Sequence, residues 1–306
     1  MRSVLMLKIA VQMDPLMSVD PHADSTFSLM SEAARRGYEL FHYQPENLSL
    51  HSGVVTCRGE SVTINEGIGQ HAGLGVRETR MLASFDVVLL RQDPPFDMSY
   101  ITNTHLLEHV MDNVLVVNNP VSVRNAPEKL LVTHFPDLMP PTLISRNLED
   151  IKQFRSQYAD IIIKPLFGNG GAGVFLLKND DPNFSSLLEM FFERSKEPIM
   201  VQQFLPSVAD GDKRIIIIDG EVIGAINRVP QKGEARSNMH VGGQAEKTQL
   251  TERDLHICAS IGPMLYERGL TFVGIDVIGD YITEINVTSP TGLQELDRFD
   301  NINSPQ

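Results

Sequence analysis

Near the C-terminus, three polar residues stand among aliphatic neighbours. In Phe272-Val273-Gly274-Ile275-Asp276-Val277-Ile278 and Ile282-Thr283-Glu284-Ile285-Asn286-Val287 they are Asp276, Glu284 and Asn286. Glu284 and Asn286 are two apart and share a strand face. A three-residue loop, Gly279-Asp280-Tyr281, keeps Val273, Ile275, Val277, Ile285 and Val287 together and sets Asp276 opposite Glu284. On the same parity a two-residue loop turns Asp276 away. Carboxylates this close repel unless a cation lies between them. Two carboxylates and an amide carbonyl are hard oxygen donors suited to Mg²⁺ shared with phosphate. The alternative is a solvated polar face.

A second pattern lies upstream. Asp160-Ile161-Ile162-Ile163-Lys164-Pro165 ends an isoleucine strand in a lysine, and Gly168-Asn169-Gly170-Gly171-Ala172-Gly173 follows. That run satisfies G-x-G-x-x-G, but the dinucleotide version needs a helix directly after it. Val174-Phe175-Leu176-Leu177 reads as strand, so a glycine flap that covers phosphates through backbone N–H groups fits better. Lys164 then suits a phosphate. A plain glycine hairpin and a snorkelling lysine are the alternatives. Arg214, Arg228 and Arg236 flank or occupy the polar segment 229–246, which also holds Lys232 and His240. Arginines beside a long polar segment could clamp carboxylates or phosphates under a lid, expected to be protease-sensitive when empty. Solvated loop charge is the alternative. The nine histidines form no H-E-x-x-H and no cluster.

These side chains need strands to aim them. Strand candidates are Val4–Val11, Glu39–Tyr43, Val87–Leu90 and Val114–Val117, with short β-like runs over 50–80. Helices over Ser25–Arg36 and Tyr100–Met111 alternate with them, which implies an open α/β sheet with ligands beyond its carboxyl ends. Asp14, Arg91 and Asp93 fall there. The boundary lies near Asn118–Asn125. Asn125-x-x-Glu128, with Pro127 inside, reads as a capping box starting the helix that carries Lys129. Beyond it come strands at Thr142–Ser145, Ile199–Gln203, Arg214–Asp219 and Val222–Arg228. Helices are expected at Leu148–Tyr158, from Asp181-Pro182 to Lys196, and from Thr251 to Gly269, before the hairpin Phe272–Val287.

The 306 residues suggest two domains. With 26 Lys+Arg against 39 Asp+Glu, the net charge of −13 disfavours nucleic acid and anionic membrane as partners. Only Cys57 and Cys258 are present, so a disulfide scaffold drops out and a cytoplasmic location is expected. Apolar runs are too short for a membrane span, and the N-terminus reads as a buried strand rather than a signal peptide.

Asn125-x-x-Glu128-Lys129-Leu130, Ile163-Lys164-Pro165-Leu166 with the flap, Asp210-Gly211-Asp212-Lys213-Arg214, Val273 to Asp280 and Thr283-Glu284-Ile285-Asn286-Val287-Thr288-Ser289-Pro290-Thr291 together resemble the ATP-grasp superfamily. Within it they resemble the bacterial glutathione synthetase family. Met13-Asp14-Pro15 and Arg91 to Asp97 extend the likeness over nearly the whole chain, and relatives continue with a further helix past the position of Gln306. The resemblance implies an N-terminal open α/β (pre-ATP-grasp) domain over 1–122. An ATP-grasp fold over 123–306 would follow, with subdomains about 123–198 and 199–306. It implies ATP-dependent ligation of γ-glutamylcysteine to glycine through an acyl phosphate, in a cytoplasmic homotetramer. Lys129, Lys164, Gly168, Asn169, Gly170 and Gly171 would hold ATP phosphates, Gln202, Gln203, Phe204 and Leu205 adenine, and Asp212 the ribose. Asp276, Glu284 and Asn286 would hold two Mg²⁺, with Mn²⁺ as a substitute. Arg214 would be catalytic; Arg91, Arg228, Arg236, Ser289, Thr291 and Gly292 would bind substrate. A ligase of the same fold for another pair, such as D-alanine–D-alanine, and a non-catalytic ATP-binding regulator are the alternative functions.

Overall fold

A computed structural model describes residues 6–65, 70–231, 236–237 and 242–305. Val4, Leu5, Lys232, His240 and the rest of 232–235 and 238–241 within the expected lid segment lie outside the described residues. The N-terminal region runs β1 (Lys8–Gln12), α1 (Ser25–Arg35), β2 (Glu39–Tyr43), β3 (Leu48–His51), β4 (Val54–Ile64), β5 (Ala72–Leu74), β6 (Glu78–Met81), β7 (Val87–Leu90), α2 (Met98–Glu108) and β8 (Leu115–Val117). Its sheet has the order β3-β4-β2-β1-β7-β8, with β5 and β6 added on β4. β2, β1, β7 and β8 are parallel. Ile9, Val11 and Leu40 from the strands bury against Phe27 and Met30 of α1. Asp24 caps α1 by accepting from the Phe27 N–H, and Gly37, at φ +80°, ends it. The carboxyl ends of β1 and β7 release Met13-Asp14 and Arg91-Gln92-Asp93 toward the rest of the chain.

The expected capping box is not formed. Asn119-Pro120 supplies the cap and first residue of α3 (Pro120–Arg124), with the Asn119 side chain accepting from the Ser122 N–H. Asn125 is the C-cap of α3, and Ala126, next before Pro127, is disfavoured from continuing the helix. Glu128 then opens a single turn, α4 (Glu128–Leu131), and its carboxylate turns elsewhere.

Two antiparallel sheets follow. β9 (Thr142–Ser145), α5 (Leu148–Tyr158), β10 (Ile161–Pro165), β11 (Phe175–Leu177), α6 (Phe184–Arg194) and β12 (Ile199–Gln203) give the sheet β11-β10-β12-β9. Asp181 does not cap α6; it accepts from the Asn183 N–H in a turn before the helix. β13 (Asp212–Ile218), β14 (Glu221–Val229), β15 (Gln244–Lys247), α7 (Glu252–Glu267), β16 (Phe272–Ile278), β17 (Tyr281–Asn286) and α8 (Leu293–Asp300) give the sheet β15-β14-β13-β16-β17. Thr251 and Asp254 form a reciprocal capping box on α7.

The β16–β17 hairpin pairs Asp276 with Glu284, but not through a three-residue loop. Ile278 pairs with Tyr281 across the two-residue turn Gly279-Asp280, and Val277 pairs with Ile282. Thr283 is the extra residue of a bulge, its Oγ1 donating to the Asp276 carbonyl at 3.2 Å. The bulge restores the parity that the short turn would have lost. Asn118, just beyond β8, anchors the hairpin to the N-terminal region. Its Nδ2 donates to the Phe272 and Val287 carbonyls at 2.8 and 2.7 Å, and its Oδ1 accepts from the Phe272 N–H at 2.7 Å.

Candidate active site

The two antiparallel sheets face each other across a cleft of about 850 Å³. Lys164, 6% exposed, leaves β10 into it. Lys129 enters from α4, and its Nζ donates to the Gly168 carbonyl at 2.5 Å. The Lys129 and Lys164 ammoniums stand 3.5 and 3.6 Å from one oxygen of Glu284. Burial alone would raise the Glu284 carboxyl; the two ammoniums outweigh it and hold it below the usual range. Burial also lowers Lys164, opposed by Glu284. Two cations on one carboxylate leave a positive excess suited to phosphate.

Gly168, Asn169, Gly170 and Gly171 form the flap edge of this cleft. Gly170, Gly171 and Gly173 have φ of +60°, +79° and +71°, a region that other L-residues enter at a cost. At the far end, Gln202 and Gln203 close β12 and Phe204 and Leu205 follow it, beside the apolar Ile162, Val208 and Ile278. Gln202 is fixed by donating to Thr142 Oγ1 at 2.9 Å. Arg236 and Ser237 also line this cleft.

A charge ladder crosses the floor. Asp212 Oδ2 accepts from Arg228 Nη2 and from Ser237 Oγ, both at 2.6 Å, while its Oδ1 is buried without a partner. Arg228 Nη2 also lies 3.0 Å from Asp276. Arg214 grips Asp276 in a fork, at 2.5 Å through Nε and 3.1 Å through Nη2. Burial raises Asp212 in spite of Arg228. Burial would raise Asp276 too, but Arg214 and Arg228 outweigh it and push that carboxyl well down. Gly274 lets Arg214 lie flat, because a Cβ there would come 2.9 Å from Arg214 Cδ and 3.0 Å from Pro290 Cβ.

Beyond the flap a second cavity, of about 1300 Å³, opens toward the N-terminal region. It meets the first at Asn169, Gly170 and Glu284. Asp14, Asp20, Asp24 and Asp93 form one wall; Arg214, Arg228, Glu128, Asn286 and Thr288 to Thr291 form the other. Ser289 and Thr291 line it as expected, but Arg91 and Gly292 do not. Arg91 is buried behind the wall, where Nε donates to Thr26 Oγ1 at 2.9 Å and Nη2 to the Pro290 carbonyl at 2.8 Å. Its guanidinium lies 4.8 Å from the Phe272 ring centre, and burial lowers it to about 10. Gly292, at φ +119°, precedes α8. Glu128 accepts from Thr288 Oγ1 at 2.8 Å; the capping pattern had hidden it as a cavity residue.

The donors fit a hard cation. Asp276 and Glu284 are cross-strand neighbours, and Asn286 is the next residue on that face. Asn286 is buried, and among the described residues its Nδ2 has no hydrogen-bond partner. Among the described residues no group of three or more His, Cys, Asp and Glu gathers as a metal cluster, so the amide is needed to make the set three.

Comparison with known proteins agrees with this architecture. Residues 7–124 match the model of the prokaryotic glutathione synthetase N-terminal domain, and 128–301 that of the prokaryotic glutathione synthetase ATP-grasp domain. A glutathione synthetase of Brucella melitensis is 57% identical over 297 residues, covering 97% of this chain and 95% of its own. One from Mesorhizobium japonicum is 58% identical over 293 residues, covering 96% and 94%. Among solved structures, D-cycloserine synthetase superposes with a TM-score of 0.68 at 14% identity, covering 98% of this chain and 97% of its own. The ATP-grasp ligase PsnB, complexed with minimal precursor, Mg and ADP, gives 0.61 at 17%, covering 97% and 95%. At those identities the structural likeness speaks for the ATP-grasp fold, and the sequence relatives carry the finer assignment: the chain belongs to the prokaryotic glutathione synthetases.

Proposed function

We propose that the two joined cavities hold ATP and the amino-acid substrates on either side of Glu284. The observation that carries this reading is their meeting at Glu284 under the flap. The chain is an ATP-dependent carboxylate–amine ligase that joins γ-glutamylcysteine to glycine, giving glutathione, ADP and phosphate. The assignment of residues to steps is our proposal.

ATP lies between the sheets. Lys129 and Lys164 take its phosphates under the N–H groups of Gly168 to Gly171. The segment Gln202 to Leu205 takes adenine, and the unpartnered Asp212 Oδ1 suits a ribose hydroxyl. Asp276, Glu284 and Asn286 would hold Mg²⁺, two ions by the family resemblance. Such ions neutralise phosphate charge during transfer. The cysteinyl carboxylate attacks the γ-phosphorus, and ADP leaves. The glycine ammonium gives up a proton to water and its free amine attacks the acyl carbon; the C–N bond forms, the C–O bond breaks, and the departing phosphate carries off the second proton. Arg214 reaches from Asp276 toward this centre, where its charge opposes the oxyanion. Arg228, Ser289 and Thr291 face the dipeptide. Arg236 closes on it from the nucleotide side. Arg91 and Gly292 act from behind, shaping the Pro290 turn.

Homotetramer assembly is carried over from the resemblance and would be checked by sedimentation. The free, buried thiols Cys57 and Cys258 suit a reducing cytoplasm. Among the described residues no helix is long and apolar enough to cross a membrane. The decisive assay is phosphate release from ATP with each acceptor pair. Release with γ-glutamylcysteine and glycine, and not with two D-alanines, is expected; the reverse would overturn the substrate assignment.

A further inference from the structure

Glu128 differs from the other carboxylates on its side of the cavities. Asp212 is paired with Arg228, Asp276 with Arg214 and Arg228, and Glu284 with Lys129 and Lys164. Among the described residues Glu128 has no cationic partner within ion-pair distance. Its one hydrogen bond is the neutral hydroxyl of Thr288. The adjacent Lys129 points away, to Gly168 and Glu284. Partial burial raises the Glu128 carboxyl and the negative charge of Glu284 raises it further, against the smaller opposing pull of Lys129, Thr288 and Arg214. Glu128 is half-buried on the cavity wall, and a partly desolvated carboxylate with no protein cation beside it favours a cation brought by the ligand.

Two substrate cations are available, the ammoniums of the dipeptide and of the acceptor amino acid. The dipeptide ammonium lies several bonds from the carboxylate that reacts. The acceptor nitrogen must lie against the reacting carbon. Glu128 stands at the reacting end, beside the flap residue Asn169 and in one cavity with Arg214 and Glu284. The aspartates of the far wall remain for the other ammonium.

We infer that Glu128 seats the ammonium of the acceptor amino acid in the cavity beside the flap. The inference rests on the ligase reading above and adds to it the residue that receives the second substrate. Seated there, the nitrogen is held next to the acyl carbon, and it attacks as the free amine once the ammonium has given up a proton to water.

The test is Glu128→Gln in the full chain, with steady-state kinetics for each substrate. The glycine KM should rise about 10- to 100-fold, the loss of one charge-assisted hydrogen bond. The KM values for ATP and dipeptide should stay within about twofold. Hydroxylamine, uncharged at neutral pH, should still trap the acyl phosphate as hydroxamate at the wild-type rate, because it brings no ammonium to seat. Thr288→Val, which leaves the carboxylate but frees it, should shift glycine KM in the same direction by less. If Glu128→Gln does not fold, Glu128→Asp keeps the charge, shortens its reach and carries the same expectation. An unchanged glycine KM, a rise in dipeptide KM instead, a raised Mg²⁺ requirement, or parallel loss of hydroxamate would each overturn the inference. Failure of the wild-type protein to form hydroxamate from ATP and dipeptide would instead overturn the ligase reading.

Discussion

The nucleotide cleft and the cavity facing the N-terminal region share Glu284, yet they treat charge differently. In the cleft, Asp212, Asp276 and Glu284 each touch a protein cation. On the far cavity wall, Asp14, Asp20, Asp24 and Asp93 make no ion pair among the described residues. Three of them serve the backbone instead: Asp14 accepts from the Asp93 N–H at 3.0 Å, Asp20 from that of His22 at 2.9 Å and Asp24 from that of Phe27 at 2.6 Å, while the Asp93 carboxylate is hydrogen-bonded to Ser289. A region that neutralises its own charges is pre-arranged for a polyanion and its metal, with each cation already in place. A region that leaves carboxylates open suits ligands that bring ammoniums. The boundary between the two regimes is where the phosphoryl group would change hands.

If that contrast is correct, variants in the cleft should separate chemistry from binding. The largest effect is expected for Arg214→Gln, which removes the cation nearest the oxyanion. Its kcat should fall about 10²- to 10³-fold, with dipeptide KM moving far less. A loss confined to dipeptide KM would place Arg214 with the substrate wall. Lys164→Ala should come next. It removes one of two ammoniums on Glu284 and should weaken ATP by about 2 kcal/mol, roughly thirtyfold, while dipeptide binding changes little. Calorimetry that finds unchanged nucleotide affinity would take Lys164 out of the phosphate site.

Lys164 was legible because a lone cation closing an isoleucine strand has few structural uses, and the hairpin triad because polar residues interrupt two aliphatic strands. The α/β alternation and most strands of the two antiparallel sheets followed from the same periodicities, though not β15 within the polar segment. What failed was direction and local compensation. Parity counted along the hairpin assumed a regular ladder, so the Thr283 bulge and the shorter turn, whose effects cancel, were invisible. Asn125-x-x-Glu128 has a capping composition, but Asn119-Pro120 offers a better start, and sequence spacing does not say which start wins. Arg91 sits at a strand's carboxyl end like a ligand residue. Only the fold shows its guanidinium committed to Thr26, Pro290 and Phe272, facing away from the cavity.

The smallest effect separates the two regions by sign. Asp276 is held well below its free value of 3.8, so below pH 3.8 the unfolded chain takes up a proton before the folded one. Stability from Asp276 is present above that pH and is lost as pH falls toward the folded value. Asp93 is exposed on the cavity wall, yet its carboxyl is raised above 3.8 by partial withdrawal from water and by the neighbouring Asp14 and Asp24, against Ser289 and Arg91. Here the folded protein takes the proton first, so its contribution is present below 3.8 and is lost as pH rises through the folded value. Urea midpoints measured at steps from about pH 5 to about pH 3 should therefore bend oppositely in the two variants. Asp276→Asn should flatten the acid loss seen in the wild type, even though it lowers stability at every pH by stranding Arg214. Asp93→Asn should steepen the acid loss, because it removes a group that partly offsets it. The readout is the slope rather than the level, which keeps the lost ion pair out of the comparison. Equal slopes for the two variants would mean that the paired cleft and the open wall do not differ electrostatically in the folded protein.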